Sequence, residues 1–157
     1  MDKNGLWAAL LAELEAELRS MERAQKETVE AATHEEARPE DDKDTRALEQ
    51  SYLARGQAMR LEELAAAVLQ VRGVKIRPYD DTTPIGLTAL VSLEDEKGVQ
   101  TYLVAPAGGG ALLDGGKVKV VTPKSPLGRA LIGKQVGDEV EVPRDGRLRF
   151  LTVVALK

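Results

Sequence analysis

The residues with the clearest chemical potential stand in one short run, Glu40-Asp41-Asp42-Lys43-Asp44. Four carboxylates in five positions suit a divalent cation, or else simply face water. Asp41 and Asp44 are three residues apart, so on a helical turn their side chains point the same way. At roughly 6 Å and an effective dielectric near 20, two such charges repel by about 3 kcal/mol, a strain that a divalent cation relieves. A solvated acidic turn is the alternative, and residue types alone leave both open. The chain has no cysteine, which removes thiolate metal sites, a thiol nucleophile and any disulfide framework, and fits a reducing compartment. His34, the single histidine, falls on a polar helix end and is assigned no role.

The acidic run has to be held by what flanks it. Residues 6–33 and 44–72 read as helices, with Pro39 between them where a helix does not easily continue. Trp7, Leu11, Leu14, Leu18 and Met21 fall at four-three-four-three spacing and draw one seam along the first helix, widened at its base by Leu6 and Leu10. Beyond Met21 the seam positions become Gln25, Thr28 and Ala32. The second helix mirrors this, with Leu61, Leu64, Val68 and Val71 near its end and Ala47, Leu48 and Tyr52 near its start. Run antiparallel, the apolar ends meet at a base and the polar ends at a tip, in a hairpin about 40 Å long at 1.5 Å rise per residue. A dimerising coiled coil would instead need apolar seam residues past Met21, and they are absent. The expected organisation is a coiled-coil hairpin over 1–72 with its acidic tip at 40–44, held weakly in its distal half, where propensity acts without burial.

Charge separates the two halves. Residues 1–72 hold 10 Lys/Arg against 16 Asp/Glu, whereas 73–157 hold 12 against 10, giving −6 and +2. Neither half concentrates the basic surface that a direct grip on a nucleic-acid backbone requires, so a protein partner is expected. No apolar run approaches the ~20 residues of a membrane span and no basic-then-apolar leader opens the chain. The expectation is a cytoplasmic, monomeric protein.

Gly73 reads as a helix stop, and Pro78, Pro84 and Gly86 punctuate a linker over 73–85. From 86 to 157 the composition turns to β. Strands are expected at 87–93, 99–104, 111–113, 117–122, 139–142 and 148–156, with turns at 94–98 and 144–146. The triple glycine 108–110 lacks a following Gly-Lys-Ser/Thr and helix, and reads as a plain loop. Between the strand groups, Ser125 and Pro126 start a short helix that should turn Leu127, Leu131 and Ile132 toward the sheet before Gly133 stops it. The fold class is α+β.

The string Ser125-Pro126-Leu127-Gly128-Arg129-Ala130-Leu131-Ile132-Gly133-Lys134-Gln135-Val136-Gly137-Asp138 closely resembles the C-terminal signature of the Gre transcription elongation factors. In that family a Ser-Pro start, Leu-Ile-Gly-Lys and Gly-Asp recur in this order. Met59-Arg60-Leu61-Glu62-Glu63-Leu64 resembles the family's Gly-Arg-Ile-x-x-Leu/Ile segment, so the likeness spans nearly the whole chain. It implies an FKBP-like β domain behind an antiparallel coiled coil. It also implies RNA polymerase as partner, with the β domain at the rim of the secondary channel and the coiled coil reaching the active centre. There Asp41 and Asp44, with Glu40 and Asp42 in reserve, would lend oxygens to a magnesium ion and promote cleavage of backtracked nascent RNA. The chain would thus stimulate the polymerase's own nuclease and not be an enzyme itself.

The resemblance also makes the turn carrying Ser125 and Pro126, with Lys124 and Arg129, the expected polymerase contact, alongside the plain role of starting a helix. The tip departs from the family pattern of Asp, two residues, Glu, then Asn-Ala-Glu-Tyr. Here Glu is shortened to Asp44 and the continuation is Thr45-Arg46-Ala47-Leu48. A one-residue shift would bring Glu40 and Lys43 to the two positions instead. The alternative implied is a non-catalytic member that enters the same channel and inhibits. A peptidyl-prolyl isomerase, the third option for such a fold, finds few aromatic residues to line a proline pocket.

Overall fold

The computed structural model describes residues 2–36 and 43–157. Two long helices, α1 (Lys3–Glu36) and α2 (Lys43–Gly73), precede a mixed sheet of six strands. The strands are β1 (Leu90–Asp95), β2 (Gly98–Val104), β3 (Leu112–Leu113), β4 (Val118–Val121), β5 (Glu139–Arg144) and β6 (Arg147–Leu156), with a short helix α3 (Pro126–Leu131) before β5. By contact density the chain divides into two units, one of Met1–Leu11 with Gln70–Lys157 and one of Ala12–Leu69.

Burial along the helices follows the seam. Leu6, Trp7, Leu10 and Leu14 of α1 and Val68 and Val71 of α2 are buried, and no other residue described in either helix is. Farther along, Leu18, Met21, Gln25 and Thr28 are half-buried, as are Leu64, Leu61, Gln57 and Ala54, at the same three-and-four spacing. The seam at the start of α2 is not the one expected. Leu48 and Tyr52 are 53% and 59% exposed, because counting back from Val71 in threes and fours passes through Ala54 and Ser51 and leaves both on the outer side. The base closes with a specific bond. Trp7 Nε1 donates to the main-chain oxygen of Val71 at 2.8 Å. Val71 lies in the last turn of α2, where carbonyls have no partner within the helix, so the indole satisfies a group that would otherwise be buried unpaired.

The sheet order is β3-β4-β2-β1-β6-β5. All neighbours are antiparallel except β2 and β4, which pair in parallel from Thr101 with Val118 to Val104 with Val121. Alternation sends Val91, Leu93, Tyr102, Val104, Val121, Val140, Val142, Leu151 and Val153 to one face, where they form the core with Leu131 of α3. Leu103, Leu113, Val118 and Val120 are buried on the other side.

One local feature departs from the sequence expectation. The first strand begins at Leu90 and not at 87, because Thr88 turns to φ +74° before the chain enters the sheet. A β-branched residue there is strained by roughly 1–2 kcal/mol. The strain is offset by bonds on either side: the Thr88 N–H donates to Val104 O at 2.8 Å, and Thr88 Oγ1 accepts the Arg77 N–H at 3.0 Å. A 3₁₀ turn over Asp114–Gly116 also stands between the strands expected at 111–113 and 117–122, with Gly115 at φ +64°.

Replacing Trp7 with Phe keeps an aromatic ring at the base but removes the donor to Val71. The expected cost is about 1–3 kcal/mol of unfolding free energy, measured by urea denaturation followed by circular dichroism. No loss would mean that the indole bond is not what closes the base.

Candidate functional site

Of the residues expected to do chemistry, Glu40, Asp41 and Asp42 lie outside the described residues. Asp44 is the second residue of α2, and the alternative register's Lys43 is the first. The surface turn expected to meet a partner is described in full, and its geometry follows from a few bonds.

Ser125 is the N-cap of α3, in extended conformation at φ −73° and ψ 158°. Its Oγ accepts the Gly128 N–H at 3.0 Å and donates to Thr122 O at 2.8 Å. Both capacities of the hydroxyl are therefore used in shaping the turn. Pro126 occupies the first helical position, where its missing N–H costs nothing, and its ring is exposed. Arg129 folds back so that Nε and Nη2 both donate to Lys124 O, at 3.0 and 2.9 Å. Lys124, Pro126 and Arg129 thus share one exposed turn, while Ser125 is half-buried beneath it as its fastener.

Gly128 sets how closely this turn can approach β4. A Cβ built on it would stand 1.7 Å from the Thr122 carbonyl oxygen and 2.6 Å from its carbon. Only glycine lets the first turn of α3 lie against the main chain there. Its presence inside so short a helix, where propensity disfavours it, was the available signal, and sequence reading alone passed over it.

The apolar side of α3 needs one correction. Leu131 is fully buried and Leu127 packs on the core as expected, with Ala130 and Val136 beside it. Ile132 does not face the sheet and is 41% exposed. It is the C-cap, at φ −57° and ψ 127°, so the chain has already left the helix and its side chain swings outward. The stretch before β1 is tied to the same helix end. Gly133 N donates to Ile85 O at 2.9 Å, Ile85 N to Lys134 O at 2.8 Å, and Gln135 Nε2 to Thr82 O at 2.7 Å. That stretch carries its own Asp-centred turn. Hydrogen bonds from the Thr83 side chain and then from Thr82 hold the Asp80 carboxyl below the usual carboxylate range.

These contacts separate residues that shape the turn from residues that it displays. Gly128→Ala should lower stability by at least about 2 kcal/mol, since the clash is with backbone and cannot be relieved by a rotamer. Ser125→Ala should cost about 1 kcal/mol. Replacing Lys124 with Ala should change stability little, because its side chain is exposed and only its carbonyl is used. Thermal unfolding of the three variants checks the order.

A family model described as "Transcription elongation factor, GreA/GreB, C-term" matches residues 81–157. Over 152 residues the chain is 33% identical to the transcription elongation factor GreA of Rhodospirillum rubrum, covering 94% of this chain and 92% of that protein. It is 31% identical over 111 residues to GreA of Mesorhizobium japonicum, covering 71% and 67%. Among solved structures it is similar to GreA factor homolog 1 (Gfh1) of Thermus thermophilus, at 20% identity over 94% of each chain and a TM-score of 0.40. No helix among the described residues is long and apolar enough to cross a membrane. With a third of its residues shared along nearly its full length, the chain belongs to the GreA/GreB family of transcription elongation factors.

Proposed function

We propose that the chain enters the secondary channel of RNA polymerase and brings the carboxylates of Asp41 and Asp44 to a magnesium ion shared with the enzyme's active centre, so that backtracked RNA is cut. The observation that carries this reading is the kinship with GreA over 94% of the chain. It is supported by the position of the acidic run 40–44, where α1 gives way to α2. The donor set fits the ion: magnesium is a hard cation that takes few protein oxygens and keeps waters and phosphate for the rest. When bound, it supplies charge stabilisation and a more acidic water.

The chain's own residues would do the positioning. Glu40 precedes the pair and Asp42 lies between its members in sequence, and both are the reserve donors. Beyond Met21 no described residue of α1 buries an apolar side chain, and the same holds for α2 before Val68. Such a rod suits a passage whose walls belong to another molecule. The anchor at the channel rim would be the turn of Lys124, Pro126 and Arg129, with Ser125 acting through its cap. In this reading the chain is a monomer, its contact with nascent RNA is made within the polymerase, and the nuclease is the polymerase.

One feature favours a second reading. The tip lacks the Asn-Ala-Glu-Tyr continuation and carries Asp44 where the family pattern has Glu, and metal delivery is sensitive to shifts of about an ångström. A denser, shorter-armed acidic tip would then obstruct synthesis without cutting.

A transcript-cleavage assay on stalled polymerase tests both. Added protein should speed cleavage, and Asp41→Ala or Asp44→Ala should each reduce this at least ten-fold while leaving polymerase binding intact. Slowed nucleotide addition without cleavage selects the second reading, and no effect on either activity refutes both. In a pull-down with polymerase, a Lys124→Glu replacement, which leaves the Lys124 carbonyl and its bonds from Arg129 in place, should weaken binding about ten-fold without altering the melting temperature. Unchanged binding removes that turn from the interface.

A further inference from the structure

A second cluster of charge lies within the sheet-bearing unit. Lys3 at the start of α1, Arg77 and Tyr79 in the stretch after α2, and Lys157 at the end of β6 line a recess of about 430 Å³. Residues 74 and 154 positions apart are brought together here by the Lys3 ammonium, which donates to the main-chain oxygens of Arg77 and Lys157. Lys3 also stands 5.0 Å from the centre of the Tyr79 ring, and the Arg77 guanidinium 5.7 Å from the same centre. The ring is itself fixed. Its hydroxyl donates to Leu87 O at 2.6 Å and accepts from Arg77 Nη2 at 3.1 Å.

Three cations therefore converge on one cavity, and among the described residues none of them makes an ion pair. Asp2 also lines the recess, its carboxylate accepting the Gly5 N–H at 2.7 Å at the start of α1, so three cations stand there against one carboxylate. Burial lowers the affinity of Lys3 for its proton. Donors remain in excess. Lys3 keeps one N–H after its two bonds, Arg77 keeps most of its planar fork, and Lys157 keeps all three. A guanidinium held against a ring, with its fork free, is preorganised for a bidentate oxyanion. The volume is that of a small-molecule site and larger than a single phosphate needs.

We propose that this recess binds a small polyphosphate anion, of the diphosphate or triphosphate class, held by Arg77 and Lys157 with Lys3 at the floor. Isothermal titration of the full chain with inorganic pyrophosphate and with tripolyphosphate, in magnesium-free buffer of low ionic strength, tests it. One saturable site is expected, weakened at least ten-fold by Arg77→Gln and by Lys157→Gln, neither of which breaks a contact that closes the fold. Shift changes in NMR spectra should centre on Lys3, Arg77 and Tyr79. A parallel titration with ATP separates the sources: tighter binding than tripolyphosphate assigns the site to nucleotides, equal binding to the phosphate chain alone, and either supports the proposal. No saturable heat, undiminished binding in both variants, or shift changes elsewhere on the chain would overturn it. These measurements need no polymerase, so their outcome is independent of the transcript-cleavage reading.

Discussion

The hydrogen bond from the Trp7 indole to the Val71 carbonyl is the constraint on which the helical part depends. Helices joined by a short polar stretch have no intrinsic reason to stay together, since isolated helices gain little from propensity alone. Here apolar burial is gathered at one end, in Leu6, Trp7, Leu10, Leu14, Val68 and Val71. The indole aligns the start of α1 with the last turn of α2, and that alignment makes the pair antiparallel. Every described residue farther along the helices is half-buried at best, so the base supplies the cohesion and the remainder supplies length.

That division of labour has a functional logic. An element proposed to work inside another molecule would risk association with its own kind if it carried a large apolar surface. The seam of polar or small residues, Gln25, Thr28, Gln57 and Ala54, avoids this at the cost of local stability. The sheet unit is the opposite case, a close-packed face of valine and leucine with α3 laid on it. In it the exposed turn at Lys124, Pro126 and Arg129 is held by backbone contacts, a cap and the Arg129 bonds to the Lys124 carbonyl, so the Lys124 side chain can vary without disturbing the core.

The recess at Lys3, Arg77 and Lys157 shows a different kind of constraint. Its cations are placed by main-chain oxygens and a tyrosine ring, not by carboxylates. Structural ammonium groups usually find an acidic partner when they lose water. Here the geometry is satisfied while positive charge is left in excess over the one carboxylate of Asp2, which sets this cavity apart from the Arg149–Asp95 ion pair at the β1–β2 end of the sheet, where each partner moves the other's protonation in the stabilising direction.

Sequence alone determined the larger plan. The three-and-four spacing from Trp7 to Met21 and from Leu61 to Val71 specified two paired helices, and alternation at 117–122 and 148–156 specified strands, because periodicity reports which face of an element is buried. The string from Ser125 to Asp138 determined the family, since a long ordered match is far more specific than any local propensity. What the tertiary structure decided was local and three-dimensional. It placed Ile132 outward because the helix ended one residue before the apolar pattern did, and put Leu48 and Tyr52 off the seam because register is counted from the base. It required glycine at 128 because the carbonyl of Thr122, just past β4, occupies the space of a Cβ. And it gathered Lys3, Arg77 and Lys157 from opposite ends of the chain, a juxtaposition that no spacing encodes, because it is created only when the β6 strand returns beside the first turn of α1.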